Sequence, residues 1–560
     1  MKRSRKTGAM VVFSFAGAMV VACGDDGTTA PNPDCCADVG ADVGDVAVGD
    51  DAASADVAVP PVGPQARLFS IDPLTTPETV LVGLPNLPET PTVLEGPFAR
   101  VRSCSRDLEN GTRNSYEFGE TTLDTVSCVP RHNASALDGN YLHITPPTTP
   151  DEDDGTFAEV MMYHHMSLIH RYFSEDYDIK DRDEPLNAVT NIQTWVSTCN
   201  DWTQWTNAAY VPREALDYLM LGLDLADTPG DAIVFSGTPE RNFALDATVI
   251  YHEYTHAILG ATRLSGTFLD DQGFNNLPGA LNEAYADYFA GTLTGESAVG
   301  QFALNDIAAA DFCGVTSDED AVENYARDMR AERRCPDDLV GEVHADSEIF
   351  SVALWQMREA LGQAEADTIV LYAVLQLTNE SDFTSAANAT IEAARDIFGD
   401  AKADVVKGFF ESRNLVACER IVPAASVGER EIAFRHEGTR VFGDANPFPG
   451  YAPGYMQYGI DVPPGTKRVV LQLTAVSGRG GPVTLEIEGA FRFGGAVRYQ
   501  LGRAAGQATH NADILRANSG ATLELFNADG TELQAGAWAL SLHNKSRRTF
   551  RLAAIDVAFQ

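Results

Sequence analysis

The 560-residue sequence is poor in positive charge: 40 Lys and Arg stand against 80 Asp and Glu, a formal net charge of −40. A nucleic-acid backbone or an anionic lipid surface finds little to bind on such a chain. Cysteine is scarce, nine in all. None makes a Cys-x-x-Cys pair or a His/Cys metal spacing, which excludes the common thiolate zinc sites. After residue 22 no run is long and apolar enough to span a bilayer. Residues 24–65 contain nine Asp, no base and no aromatic side chain. Such a stretch cannot bury enough apolar area to offset its ordering entropy. It reads as a solvated tether whose Ala-Asp-Val-Gly repeats offer at most a weak calcium site.

What is present is ordinary folded protein, 44% hydrophobic and 21% charged, long enough for about three or four domains. Residues 420–560 carry fifteen basic against twelve acidic side chains. Nearly the whole acidic excess therefore falls on 64–419, and a boundary near 420 follows. At the start, Lys2, Arg3, Arg5 and Lys6 precede an apolar run from Ala9 to Ala22, which suits a signal-peptide core. The run ends Val20-Val21-Ala22-Cys23, which resembles the bacterial lipobox. That resemblance implies cleavage before Cys23, a lipid on its sulfur, and a cell-envelope protein held to the membrane by that anchor alone. The alternative is a plain secretory signal with an incidental Cys. Export permits disulfides. Cys104–Cys128 and Cys313–Cys335 each close a modest loop, which leaves Cys199–Cys418.

The texture divides the chain into a signal peptide at 1–22, the tether at 23–65, a small, mostly β region at 66–150, a larger domain at 151–419, and a terminal domain at 420–560. Phe157 to Tyr172 has apolar residues at helical spacing and three histidines, which are expected to pack rather than to ligate. Helices are predicted at 349–361, 368–377, 384–398 and 402–413. Beyond Cys418 the helical period ends, and alternating runs at 469–473, 483–487, 522–526 and 538–542, with a closing strand at 549–559, predict a β-sandwich.

His252-Glu253-Tyr254-Thr255-His256 carries the chemistry. On a helix, residues i and i+4 share a face, so both imidazoles can reach one ion. Zinc takes neutral imidazole nitrogen, and a catalytic site leaves one position to water, within reach of Glu253. The second element is Gly279-Ala280-Leu281-Asn282-Glu283-Ala284-Tyr285-Ala286-Asp287, opened by Pro278 and closed by Gly291. Glu283 and Asp287 are again i and i+4. Glu283 can complete a His₂Glu site, and Asp287 can accept the free ring N–H of a zinc histidine.

These two motifs resemble those of the thermolysin-like and fungalysin-like zinc peptidases, the gluzincins. Thr206-Asn207-Ala208-Ala209-Tyr210 resembles the family segment that pairs with the substrate backbone, and Glu159 to His165 the helix before the peptidase core. The likeness covers roughly residues 155–416. It implies an α+β fold in two lobes, one mixed α/β and one helical, with zinc on His252, His256 and Glu283. It also implies Glu253 as general base, Asp287 behind the ligands, and Asn207 and Ala208 lining the cleft. Protein or peptide substrates and a monomeric chain follow from it.

The family places a His on the far lobe to stabilise the oxyanion. His344, at a loop-to-helix transition, is the candidate, with either Asp338 or Glu342 to orient it. The family's oxyanion-binding Tyr has no counterpart, since residues 261–278 contain no Tyr. Asp270 and Asp271 in that loop are candidate structural calcium ligands, with solvated loop acids as the favoured alternative. The activity expected is an exported zinc endopeptidase. Its rivals are a zinc-containing surface protein that binds without cutting, and a calcium-dependent adhesin built on the β-sandwich.

Overall fold

In the computed structural model, the described residues are 63–560 apart from 89–90, 119–120, 149–154, 181, 214–229, 239–240, 261–263, 265–267, 305–306, 309–321, 324–325, 426–431, 435–451, 477–484, 502–507 and 545–549. The signal, the Cys23 expectation and the tether up to residue 62 lie outside them, and Gln65, the tether's last residue, opens a strand over Gln65–Leu68.

The first lobe is built on a five-stranded mixed sheet. Its order is Ala208–Val211, Ala232–Phe235, Leu186–Thr190, Ala99–Ser105 and Val129–Arg131. The strand at 186–190 runs parallel to both of its neighbours and is buried at every position, as a strand covered on both faces must be. The strand from 99–105 sits inside this sheet, so residues on the two sides of position 150 share it. A second sheet of four strands repeats the mixture, pairing 121–127 with 193–196.

Seven α-helices follow among the described residues. Helix α1 (Thr156–Arg171) packs on that sheet and on α2 (Ala247–Leu259). Helix α3 (Leu277–Thr294) lies against α2 and α4 (Val343–Leu361). Helices α5 (Gln363–Val374), α6 (Phe383–Phe398) and α7 (Asp400–Ser412) complete the helical lobe. The four predicted helices there are present within a few residues. Helix α2 is buried along its whole length except at His256, so its position is set by core packing on all sides. Its start is held twice: Asp246 accepts from Thr248 N at 3.0 Å and, by its other oxygen, from Ala303 N at 3.1 Å. The first bond caps the helix; the second ties it to the turn beyond α3.

The C-terminal region is β-rich, with a five-stranded sheet from Ile421–Pro423 to Ile514–Ser519 and a four-stranded sheet that includes Phe550–Phe559. The predicted runs at 469–473, 522–526 and 538–542 all fall on strands.

Two disulfide expectations are corrected. Cys104–Cys128 forms, but Cys335 pairs with Cys418 across 83 residues, not with Cys313. Cys199, also disulfide-bonded, is therefore not the partner of Cys418, and Cys313 lies outside the described residues. The physical reason is topological: Cys335 N donates to Arg413 O at 3.1 Å, so the loop before α4 runs beside the end of α7. No helix among the described residues is long and apolar enough to cross a membrane.

Candidate metal centre

Helices α2 and α3 bring three side chains to one point. The ligand atoms of His252, His256 and Glu283 all lie within 4.8 Å of one another, the one such group of His, Cys, Asp or Glu among the described residues. His252 Nε2 is 3.0 Å from His256 Nε2 and 3.1 Å from Glu283 Oε2, and His256 Nε2 is 3.6 Å from Glu283 Oε1. Two donors each about 2.0–2.1 Å from one tetrahedral zinc ion are about 3.3 Å apart. The separations bracket that figure. Glu283 Oε2 is buried with no hydrogen-bond partner, a cost that an uncompensated carboxylate does not meet without a cation. The donor set thus fits zinc.

Both histidines are held with Nε2 toward that point. His252 donates from Nδ1 to Asp287 Oδ1 at 2.9 Å. His256 donates from Nδ1 to Asn282 Oδ1 at 2.9 Å, and Asn282 is itself fixed by donating to Leu264 O at 2.9 Å. Each Nε2 keeps its lone pair. Behind His252, Arg327 grips both oxygens of Asp287 at 2.7 Å. Burial opposes ionisation of Asp287, yet Arg327 and His252 hold its pKa down to about 2. Burial likewise opposes a charged His252, but Asp287 and Glu283 raise its pKa to about 10. The carboxylates of Asp287 and Glu283 give the pocket the negative field that a dication requires.

Glu253 is buried one position from the first ligand. Its Oε2 accepts from Tyr210 N at 2.7 Å. Tyr210 belongs to the strand 208–211, the edge of the first sheet, whose other side pairs with 232–235. The unpaired edge of the sheet therefore faces Glu253. Asn207 and Ala208 open that strand, both half-buried, with Asn207 Oδ1 accepting from Ala208 N at 2.9 Å.

His344, in the first turn of α4, approaches from the helical lobe, its Nε2 3.5 Å from Glu283 Oε2. Its Nδ1 meets Glu342 Oε1 at 2.8 Å. Of the two acids open to that role, Glu342 has the geometry; Asp338 accepts from Arg334 N at 2.8 Å instead. Glu342 also caps α4 through His344 N and Ala345 N at 3.0 and 2.9 Å, so one carboxylate fixes both the helix start and the ring.

Asn282 and Arg327 were not singled out from the sequence. Asn282 stands inside the motif, next to Glu283, and was legible there. Arg327 lies 40 residues from Asp287 with no local pattern around it. The calcium expectation at Asp270 and Asp271 is corrected. Arg420 takes both oxygens of Asp270 at 2.6 and 2.7 Å, and Arg498 takes Asp271 at 2.6 Å. Guanidinium groups hold the place of a metal ion.

Residues 272–413 match the thermolysin metallopeptidase alpha-helical domain. The neutral protease NprE of Bacillus pumilus is 26% identical over 318 residues, 54% of this chain and 94% of that one. Bacillolysin of Bacillus subtilis is 26% identical over 318 residues, and the chain spans 54% of its length. The solved precursor of protealysin, a metalloproteinase from Serratia proteamaculans, is 17% identical, with 56% of this chain and 88% of that chain covered and a TM-score of 0.34. The domain match covers α3 to α7, and the converging ligands on α2 and α3 form a His₂Glu set.

Proposed function

From that site we propose that the chain is an exported zinc-dependent endopeptidase acting on protein or peptide substrates. The single observation that carries the reading is the convergence of His252, His256 and Glu283 with Glu253 beside them. A zinc ion held there would supply a Lewis acid and water of lowered pKa at neutral pH.

The chain's own residues do the rest. An extended peptide would add to the free edge of the strand 208–211, main chain to main chain, as peptides do at open sheet edges. Asn207 and Ala208 would line its path. Glu253, within reach of both edge and ligands, would take the proton of the attacking water and return it to the leaving amine. His344, oriented by Glu342, would donate from Nε2 to the developing oxyanion. Asp287, fixed by Arg327, would keep His252 in the ligating tautomer. The disulfides suit an oxidising compartment. A lipid on Cys23, a monomeric state, the domain limits at 66–150, 151–419 and 420–560, and a sandwich packing of the two C-terminal sheets belong to the same proposal.

Two observations favour a second reading, a zinc-holding protein that binds peptide without cutting it. The carboxylate of Glu253 is already engaged by Tyr210 N, and 261–278 offers no Tyr. The test is cleavage of an unstructured protein by the full chain and by Glu253→Gln at equal zinc content. Cutting by the first alone supports the peptidase; zinc in both and cutting by neither supports the binder.

A further inference from the structure

The C-terminal β-rich region grips the segment between the two metal-binding helices. The hairpin of Phe268–Asp270 and Gly273–Asn275 stands immediately before α3. At its turn, Arg420 donates to both oxygens of Asp270. Arg420 is only 3% exposed, and its Nε donates to Tyr455 O at 3.0 Å, so its direction is fixed from the β-rich side. Asp270 Oδ2 in turn accepts from Asn275 Nδ2 at 2.9 Å, and Asn275 Oδ1 accepts from Leu277 N at 2.9 Å, at the first residue of α3. Tyr499 N donates to Asp271 O at 2.6 Å beside them. A second contact reaches the other lobe: Gly341, three residues before His344, has φ +79°, and a Cβ there would lie 3.0 Å from the Tyr455 ring. The region thus abuts the approaches to α3 and to α4.

We propose that the C-terminal β-rich region positions the metal centre, with Arg420 as the positioning residue that acts through Asp270 and Asn275 on the start of α3 and so on Glu283. A buried bidentate arginine–carboxylate pair is directional as well as strong. Glu283 lies two turns into the helix that this chain of bonds aims, and Asp287 a turn further. Loss of the clamp frees the hairpin, and the helix start, to shift by fractions of an ångström. A metal site senses such a shift, because outer partners of metal ligands commonly change affinity by about 10–100-fold. The proposal rests on the zinc reading of the site, but not on turnover.

The test compares the full chain with Arg420→Gln, Asp270→Asn, the double variant, and Leu471→Ala, a buried core change in the other C-terminal sheet. Zinc release to a competing chelator and the visible spectrum of the cobalt-substituted protein are measured at a temperature where circular dichroism shows each folded. The expected result is release accelerated by about tenfold in Arg420→Gln and Asp270→Asn, no further change in the double variant, and an altered cobalt spectrum in all three. Leu471→Ala should melt earlier with wild-type release. If Arg420→Gln does not fold, Arg420→Lys, which keeps the charge and loses the fork, should show the same change to a smaller extent. Wild-type release and spectra in the Arg420 and Asp270 variants would overturn the proposal, as would equal acceleration by Leu471→Ala. A chain that retains zinc but cuts nothing would defeat the peptidase reading and leave these expectations intact.

Discussion

Helices α1 and α2 both carry closely spaced histidines, and they do opposite things with them. In α1, His165 is fully buried, with Nε2 3.2 Å from Phe69 O and Nδ1 2.7 Å from the Tyr251 hydroxyl. The carbonyl can only accept, so Nε2 carries the proton and Nδ1 accepts from Tyr251. Burial pushes its pKa down to about 3 and that of His164 down to about 4. These are neutral rings satisfied by backbone and hydroxyl groups. In α2, His252 has two carboxylates within 3.1 Å, and its pKa moves the other way. Residue type therefore does not make a metal site; the charge facing the imidazoles does. Helix α3 supplies that charge; on α1, His164 and His165 meet backbone carbonyls and a hydroxyl, and His170 meets the single carboxylate of Asp183 at 3.1 Å.

The largest effect that can break this contrast is loss of the facing charge. Glu283→Gln keeps the shape but removes the anionic ligand, and should abolish stoichiometric zinc and with it activity, as metal analysis after dialysis would show. Glu253→Gln should retain zinc and lower kcat by roughly 10³-fold, the scale of a lost general base. Asp287→Asn leaves the ligands in place and weakens their orientation. It should reduce zinc affinity by about 10–100-fold in chelator competition.

Changes on α1 should leave the metal alone. His165→Gln should bind zinc as the wild type does and lose roughly 1–3 kcal/mol of stability in denaturant melts, because Tyr251 or Phe69 loses its partner. The smallest effect is in the pH dependence. His164 and His165 have folded pKa values below the unfolded value of about 6.5, so the unfolded chain binds more protons between those limits. Their contribution is complete above pH 6.5 and is lost as pH falls toward 4 and then 3. His165→Gln should flatten the acid limb of a stability–pH curve.

Legibility in the sequence followed the range of the interaction. The His-x-x-x-His and Glu-x-x-x-Asp spacings are local helix geometry, so the ligands, Glu253 and Asp287 could be read directly, as could α4 to α7 from their apolar period. His344 is less plain: the sequence leaves Asp338 and Glu342 both open as its partner, and only the cap geometry of α4 puts Glu342 against the ring. Arg327 could not be read, since nothing near it predicts that it reaches Asp287. The Cys335–Cys418 bridge is illegible for the same reason: sequence spacing favours short loops, while the chain returns from α7 to the loop before α4. The partner of Asp270 is not legible, because Arg420 comes from 150 residues away. An acid on a loop looks free for calcium until the arginine that occupies it is placed.

The central claim is that carboxylates on α3 select the histidines of α2, and not those of α1, for zinc. X-ray absorption at the zinc edge on the full chain, compared with Glu283→Gln and His165→Gln, tests it most directly. The account predicts one zinc per chain with two imidazole nitrogens and at least one carboxylate oxygen at about 2.0–2.2 Å, the same spectrum in His165→Gln, and no ordered zinc in Glu283→Gln. Zinc retained with unchanged ligation in Glu283→Gln, or lost in His165→Gln, would contradict it.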